Sequence, residues 1–252
     1  MPMFWMLPIP KFQMTRIIFE KKSAMRTLEI CCTSVAAALA AQAGGAHRIE
    51  LCMGLELDGL TPSPGLLSRV KTLLNIPVFV LIRPRGGDFC YSEDEIQTML
   101  SDIKQTRELG ADGIVSGALQ ADGRLHLAHT RLLMEAAGPL PFTFHKAFDV
   151  CSNPFEALEA LAEMGVSRIL TSGCQPNAIS GIEMLCRLKQ QAGARLSIMC
   201  GGGVRAINIE QLAKETGLSE FHSSARPAGA KDTEQEEVSR LLAAWDRALS
   251  GL

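Results

Sequence analysis

The sequence predicts a closed (β/α)8 barrel that forms a single domain, and three observations support this fold class. The chain has 252 residues, 47% of them hydrophobic, which suits one barrel of this type. Short apolar runs alternate eight times with longer helical patterns. Polar residues follow nearly every apolar run, which indicates a complete ring of strand ends. An open sheet would gather such residues at one crevice instead.

The predicted strands are short apolar runs, a pattern typical of parallel strands buried on both faces. The third is the most informative, because the run 78–82 turns at once into Arg83-Pro84-Arg85-Gly86-Gly87-Asp88. A buried strand that ends in such a cluster brings charge to one rim of the barrel, the rim where barrels carry their chemistry. We predict strands at 27–32, 47–52, the first half of 78–89, 113–118, 141–145, 168–172, 196–200 and 220–223.

The predicted helices are recognised by their end signals. Ser34 is a candidate N-cap, and so is Asn153. Ser92 and Glu95 have the spacing of a capping box, and Pro64 suits a first helical turn. We predict helices at 34–42, 64–75, 92–109, 127–137, 154–164, 179–191, 207–216 and 233–249.

Composition excludes two classes of partner. The formal net charge is −2, so no electrostatic field favours nucleic acid or an anionic membrane. No apolar run in the sequence approaches the ~18 residues of a membrane-spanning helix. The eight cysteines are spread through predicted strands and helices, unlike those of a small secreted domain. We therefore expect reduced thiols in a cytoplasmic protein.

The first 24 residues are expected to form an extension outside the domain, which then spans 25–252. Their apolar start is interrupted by Pro2, Pro8 and Pro10, and prolines at that density oppose a helix. Barrels often self-associate, so we expect a homodimer or a homotetramer.

Two neighbouring strands end alike, in Glu29-Ile30-Cys31 and Glu50-Leu51-Cys52. Residues two apart share a face of a strand, so each glutamate shares a face with its cysteine. Neighbouring strands lie ~4.8 Å apart, which lets the two thiols approach each other. A thiol pair suits a soft ion such as Cu(I), although cysteines in barrel strands are more often packing residues. Buried carboxylates need partners, and Arg83 and Arg85 on the next strand are candidates.

Arg83 and Arg85 are two residues apart, so they are expected to share a face. Two guanidinium groups there can clamp a carboxylate or phosphate of a ligand. The alternative is that they only neutralise Glu29 and Glu50, and the sequence leaves both interpretations open.

The fifth strand supplies a candidate imidazole. His145 is two residues after Thr143, so the two share one face of the strand and His145 is expected to face the barrel interior. There it can be a general base, a metal ligand or a core hydrogen-bond donor. Asp149 follows it, and His222 ends the eighth strand, which together favour a site. Lys146 has the opposite parity and is expected to point away.

Two further loops are candidates for anion binding. The sixth strand runs into Ser172-Gly173, and the seventh runs into Gly201-Gly202-Gly203. Glycine allows backbone N–H groups to approach an anion closely, and the loop after strand seven is part of a common phosphate site in barrels. A tight turn would use the same glycines.

Several of these segments resemble the CutC family in sequence and in order. They are Arg48-Ile49-Glu50-Leu51-Cys52, Ile82 to Phe89, Phe144-His145-Lys146-Ala147-Phe148-Asp149, Leu170-Thr171-Ser172-Gly173-Cys174, Gly201-Gly202-Gly203 and Glu220-Phe221-His222. The resemblance implies a TIM-type barrel, a cytoplasmic location and a role in copper homeostasis. It also implies that Cys31 and Cys52 match a cysteine pair associated with Cu(I). Lys146 stands where arginine is also common in the family.

Two functions follow as hypotheses. The first is a cytosolic copper homeostasis protein that holds Cu(I) between Cys31 and Cys52. The second is an enzyme, a lyase, isomerase or hydrolase that acts on a small anionic or sugar-like metabolite. The candidate catalytic groups of such an enzyme are Glu29, Glu50, His145, Asp149 and His222. Its candidate substrate-binding residues are Arg83, Arg85, Ser172, Gly173, Gly201 and Gly202.

Overall fold

A computed structural model describes residues 26–250, and its eight parallel strands close into a barrel in chain order. The ring closes where the last strand pairs with the first, which confirms the predicted (β/α)8 barrel. The predicted extension, residues 1–24, lies outside the described residues. The strands are β1 Thr27–Cys32, β2 Arg48–Leu51, β3 Val78–Leu81, β4 Gly113–Ser116, β5 Phe142–Phe144, β6 Arg168–Thr171, β7 Ser197–Cys200 and β8 Glu220–Ser223.

A helix follows each strand. The helices are α1 Val35–Ala43, α2 Pro64–Leu73, α3 Glu93–Glu108, α4 Leu127–Ala137, α5 Pro154–Glu163, α6 Ile182–Ala192, α7 Ile209–Thr216 and α8 Gln235–Ser250. Short 3-10 helices, Leu55–Leu57 and Lys146–Val150, lie in the loops after β2 and β5. Both loops therefore contain ordered turns at the rim where the strands end.

The predicted end signals of α1, α2 and α3 are confirmed. The Ser34 hydroxyl accepts the N–H of Ala37 in α1, Pro64 opens α2, and Ser92 and Glu95 form the reciprocal capping box of α3. Asn153 precedes α5 but makes no side-chain cap. Its amide donates to Glu156 instead, over 3.3 Å.

The alternation of strand residues separates two apolar layers. Ile30 and Leu51 lie in the large core between the sheet and the helices, as their parity predicts. A smaller cluster fills the barrel itself and contains Cys31, Cys52, Phe79, Leu81 and Val115. The two cysteines therefore belong to the interior of the barrel, just below its mouth.

Candidate functional site

A cavity of about 650 Å³ opens at the mouth of the barrel, where the strands end. This volume is within the range of small-molecule sites, ~300–1,000 Å³. Nine residues singled out from the sequence line it: Cys31, Glu50, Cys52, Arg83, His145, Asp149, Ser172, Gly202 and His222. Glu29, Arg85, Gly173 and Gly201 are not among the lining residues.

The thiols of Cys31 and Cys52 lie 3.2 Å apart and share a hydrogen bond. Cys31 lies opposite Glu50 in the β1–β2 pairing, and Cys52 directly follows β2, two residues nearer the mouth than Glu50. The predicted approach of the two thiols is confirmed. The hydrogen bond with Cys52, followed by burial, raises the pKa of Cys31 well above its usual value. The Cys31 thiol is therefore protonated at neutral pH in the metal-free protein.

His222 lies beside this thiol pair and is held from below by Glu29. Its Nδ1 is 2.7 Å from Oε1 of Glu29, because β8 and β1 pair with these two residues in register. Burial alone would lower the pKa of His222, but hydrogen bonds with Cys31 and Glu29, together with the two glutamate charges, raise it well above its usual value. A ring held through Nδ1 leaves Nε2 for a second partner.

Glu50 is buried among the same groups. One of its oxygens, the Cys31 sulfur and a His222 ring nitrogen all lie within 4.8 Å of one another. Burial is the largest influence on the Glu50 carboxyl and raises its pKa to about 7, although the His222 charge opposes this. Its Oε2 has no hydrogen-bond partner among residues 26–250.

Below the cavity, a charged layer forms the floor of the barrel. Arg48 donates to Glu29 over 2.5 Å and to Glu220 over 3.1 Å. Arg168 donates to Glu220 over 3.0 Å. Burial favours a raised pKa for Glu29, but the Arg48 charge and hydrogen bonds from His222 and Arg48 lower it to about 2. Both guanidinium groups also lie over the Phe79 ring.

This floor excludes one of the two interpretations that the sequence leaves open, in which Arg83 and Arg85 neutralise Glu29 and Glu50. The arginine that pairs with Glu29 is Arg48, which stands two residues before Glu50 and therefore shares its face. Glu220 likewise stands two residues before His222. The two-residue periodicity of a strand is therefore enough to identify both Arg48 and Glu220 as floor residues.

The two arginines after β3 do not form a clamp. Arg83 lines the cavity and donates to the carbonyls of Leu57, Gly59 and Gly87 over 2.5, 2.9 and 2.8 Å. It therefore ties together the loops after β2 and β3. Arg85 bonds Glu95 instead, over 2.5 Å, away from the cavity. Strand β3 ends at Leu81, so its alternation does not extend to these side chains.

His145 faces the cavity as predicted, and it is only 4% exposed. Its Nδ1 accepts the N–H of Ala147 over 3.3 Å, so in the neutral ring the proton is on Nε2. Nε2 has no partner among the described residues. Burial, with a contribution from the Arg83 charge, lowers the pKa of His145 to about 3. The ring is therefore a neutral donor and not a base at physiological pH.

Lys146 also lines the cavity, contrary to the prediction that it points away. Strand β5 ends at Phe144, and the 3-10 helix that follows replaces the two-residue alternation with a turn.

The remaining predicted residues build the loops around the mouth. Asp149 accepts hydrogen bonds from the Thr171 hydroxyl and from the N–H groups of Ser172 and Cys174, so it anchors the loop after β6. Gly173 packs against Gly181, and a Cβ there would lie 2.5 Å from its carbonyl oxygen.

Of the predicted glycines after β7, Gly202 lines the cavity and Gly201 does not. A Cβ on Gly201 would lie 2.5 Å from the side chain of Leu170. Gly201 is thus needed for close packing between β6 and β7. Cys174, Arg205 and Arg226 also line the cavity, and none of the three is among the site residues singled out from the sequence.

Comparison with known proteins places this arrangement in a family. The model of the CutC family matches residues 26–227, a range that contains every cavity-lining residue. The chain belongs to the CutC family. A CutC protein of Porphyromonas gingivalis is 50% identical over 200 residues, covering 79% of this chain and 80% of the relative. The human relative, named copper homeostasis protein cutC homolog, is 48% identical over 199 residues and covers 79% and 73%.

A solved CutC structure, from Streptococcus agalactiae, has the same fold. It superposes with a TM-score of 0.76 at 33% identity, covering 79% of this chain and 99% of that one. Among residues 26–250, no helix combines the length and the apolar character needed to cross a bilayer.

The donor set of this CutC chain suits a soft metal ion. Thiolate and imidazole are the ligands that Cu(I) and Zn(II) prefer, whereas carboxylate suits harder ions. Cys31, Cys52 and Nε2 of His222 are the soft donors here. Cys31 and Cys52 would hold such an ion as thiolates, so the proton that their sulfurs share would have to leave before it could bind.

Proposed function

We propose that this CutC protein acts in copper homeostasis by binding Cu(I) between the Cys31 and Cys52 thiolates. The observation that carries the proposal is the thiol pair itself, with the two sulfurs 3.2 Å apart in the lining of the mouth cavity. The names of the relatives support copper handling more than the alternative hypothesis of a lyase, isomerase or hydrolase.

The position of His222 supports the same proposal. Metal-bound histidines usually donate their other ring N–H to a carboxylate, which fixes the ring and raises its basicity. Here Glu29 takes the role of the carboxylate at Nδ1, and a nitrogen of the His222 ring lies within 4.8 Å of the Cys31 sulfur. We infer that Nε2 of His222 is a third ligand. Because the ligands carry protons in the metal-free protein, binding releases protons.

Equilibrium Cu(I) titration in competition with a chromophoric chelator tests the proposal. We expect wild type to bind one equivalent, and the Cys31→Ser plus Cys52→Ser double variant to lose at least 100-fold in affinity. Cys186→Ser is the matched control, because Cys186 is a partly exposed thiol on α6. Unchanged affinity and stoichiometry in the double variant would remove the proposal. Cytoplasmic location and a homodimer or homotetramer remain predictions, to be checked by fractionation and light scattering.

A further inference from the structure

The β7–β8 side of the mouth carries positive charge without acidic partners. Arg205 and Arg226 both line the cavity, and among residues 26–250 neither forms an ion pair with a carboxylate. Glu237, whose charge acts on Arg205, forms its ion pair with Arg240. Arg205 donates only to neutral oxygens, those of Val204, Ser223 and Ser224.

The two guanidinium groups line the same cavity and carry like charges. Burial is the largest influence and lowers the pKa of Arg205; the Glu237 charge opposes it, and the Arg226 charge adds to the lowering. Two like charges that share one partly buried rim repel each other. An anion between them would remove that repulsion.

The backbone beside these arginines supplies further donors. Gly202 and Gly203 follow β7 with φ of +91° and +79°, and both line the cavity. Their N–H groups donate to no acceptor within residues 26–250. Consecutive N–H groups in turns of this kind form anion-binding concavities. The loops after strands seven and eight are where many (β/α)8 barrels bind phosphate.

Across the mouth, His145 provides an independent indication of a ligand. It is a buried side chain that lines the same cavity, and its Nε2–H has no partner among the described residues. Buried donors are almost always satisfied. Nε2 is itself covered from solvent, so a carbonyl or hydroxyl oxygen reaches this neutral N–H once the side chains that cover it shift.

We propose that the cavity binds a phosphate monoester of a small polar molecule. The phosphate lies between Arg205, Arg226 and the N–H groups of Gly202 and Gly203, and the body of the ligand places an oxygen at Nε2 of His145. A phosphate offers three terminal oxygens to this set of donors, one more than a carboxylate. The cavity of about 650 Å³ has room for such a molecule. None of these residues is a proposed copper ligand, so the proposal is separate from copper binding.

Calorimetric titration of the metal-free full chain tests it with three probes. Ribose 5-phosphate has both the phosphate group and a polar sugar. Ribose lacks the phosphate group, and inorganic phosphate lacks the sugar. We expect ribose 5-phosphate to bind with a Kd of ~1 mM or tighter, inorganic phosphate to bind more weakly, and ribose not to bind measurably. Arg226→Gln should weaken ribose 5-phosphate at least tenfold. Arg131→Gln, the same change on the exposed face of α4, should have no effect.

A separate substitution tests the proposed contact between the ligand and His145. Asparagine can keep an acceptor for the Ala147 N–H while removing the Nε2 donor. His145→Asn should weaken ribose 5-phosphate severalfold and leave inorganic phosphate unchanged; equal binding of the ester to wild type and variant would overturn this contact.

Two further results would overturn the phosphate site as a whole. They are no binding of either phosphate probe up to 20 mM, and wild-type affinity in Arg226→Gln. Cu(I) titration of Arg226→Gln, and ribose 5-phosphate titration of the double cysteine variant, keep the two proposals apart. Arg226→Gln should weaken only the binding of ribose 5-phosphate, and the double cysteine variant should weaken only the binding of Cu(I).

Discussion

The floor and the mouth of this barrel are both buried and both charged, yet they are built differently. In the floor, Glu29 and Glu220 are each matched by arginines at hydrogen-bonding distance. In the mouth, Glu50 and His145 each keep a buried polar atom that has no partner in the described chain. A buried unsatisfied group costs about 1–3 kcal/mol. Buried charge therefore does not by itself indicate a site; in the mouth, the unpartnered atoms of Glu50 and His145 coincide with a cavity, which the paired floor charges do not line.

Breaking the floor should have the largest effect on stability. Arg48→Met removes the partner of Glu29 and one partner of Glu220. Because it leaves buried charges uncompensated, we expect a loss of about 3–5 kcal/mol in the free energy of unfolding. Urea denaturation measures it, with Arg69→Met on the exposed face of α2 as the control, expected within about 0.5 kcal/mol of wild type. A loss below ~1 kcal/mol for Arg48→Met would mean that the floor charges are not buried pairs.

Glu50 in the mouth should respond to pH in the opposite sense to Glu29 in the floor. The folded pKa of Glu50, about 7, is above its unfolded value, so the native state holds a proton that the unfolded chain has released. Stability therefore falls as pH rises from ~4.5 through 7. The folded pKa of Glu29, about 2, is below its unfolded value. Its contribution is present above ~4.5 and is lost as pH falls toward 2.

The variant Glu50→Gln isolates the contribution of the Glu50 carboxyl to the pH dependence of stability. In the metal-free protein it should be more stable than wild type at pH 8 by roughly 2–3 kcal/mol, since each pKa unit corresponds to ~1.4 kcal/mol, and close to wild type at pH 4.5. Unfolding curves at both pH values measure the difference. If the variant is less stable than wild type at pH 8, the Glu50 carboxylate has a stabilising partner and the contrast with the floor is wrong.

Replacing Arg85 should change the free energy of unfolding less than the changes in the floor or the mouth, although its position in the sequence suggests a role in a site. Its side chain is about one third exposed, and its partners Glu95 and Asp88 lie outside the cavity. Exposed pairs contribute about 0.2–1 kcal/mol, so Arg85→Met should lose no more than that in urea denaturation. Cu(I) and ribose 5-phosphate affinities should remain at wild-type values. A clear loss of either affinity would restore the clamp hypothesis.

These contrasts show which features the sequence could predict. The eight repeated units and the approach of Cys31 to Cys52 follow from strand count and two-residue periodicity, and both are confirmed. One partner of Glu29, His222, could not be predicted in the same way. His222 reaches it only because β8 closes on β1 in one particular register, which pairs residues 193 positions apart.

Periodicity also failed at two positions beyond the end of a strand, although it held at Cys52 and His145, which lie one residue past β2 and β5. Arg85 and Lys146 were assigned a face by alternation, but β3 ends at Leu81 and β5 ends at Phe144. Beyond those ends, the direction of a side chain depends on the turn that follows. The mouth is made largely of such turns, so its donors are harder to predict than the floor charges.

The two histidines of the mouth give the last test, one in which a null result is expected. His145, whose pKa is lowered to about 3 by burial and the Arg83 charge, should show no titration between pH 5 and 8 in two-dimensional ¹H–¹⁵N spectra of the metal-free protein. Its chemical shifts should be those of a neutral ring with the proton on Nε2. Over the same range His222, held by Glu29, should show the shifts of a protonated ring. A His145 resonance that titrates near 6.5 would mean that water or an acidic partner reaches the ring, and a neutral hydrogen-bond donor could no longer be assigned there.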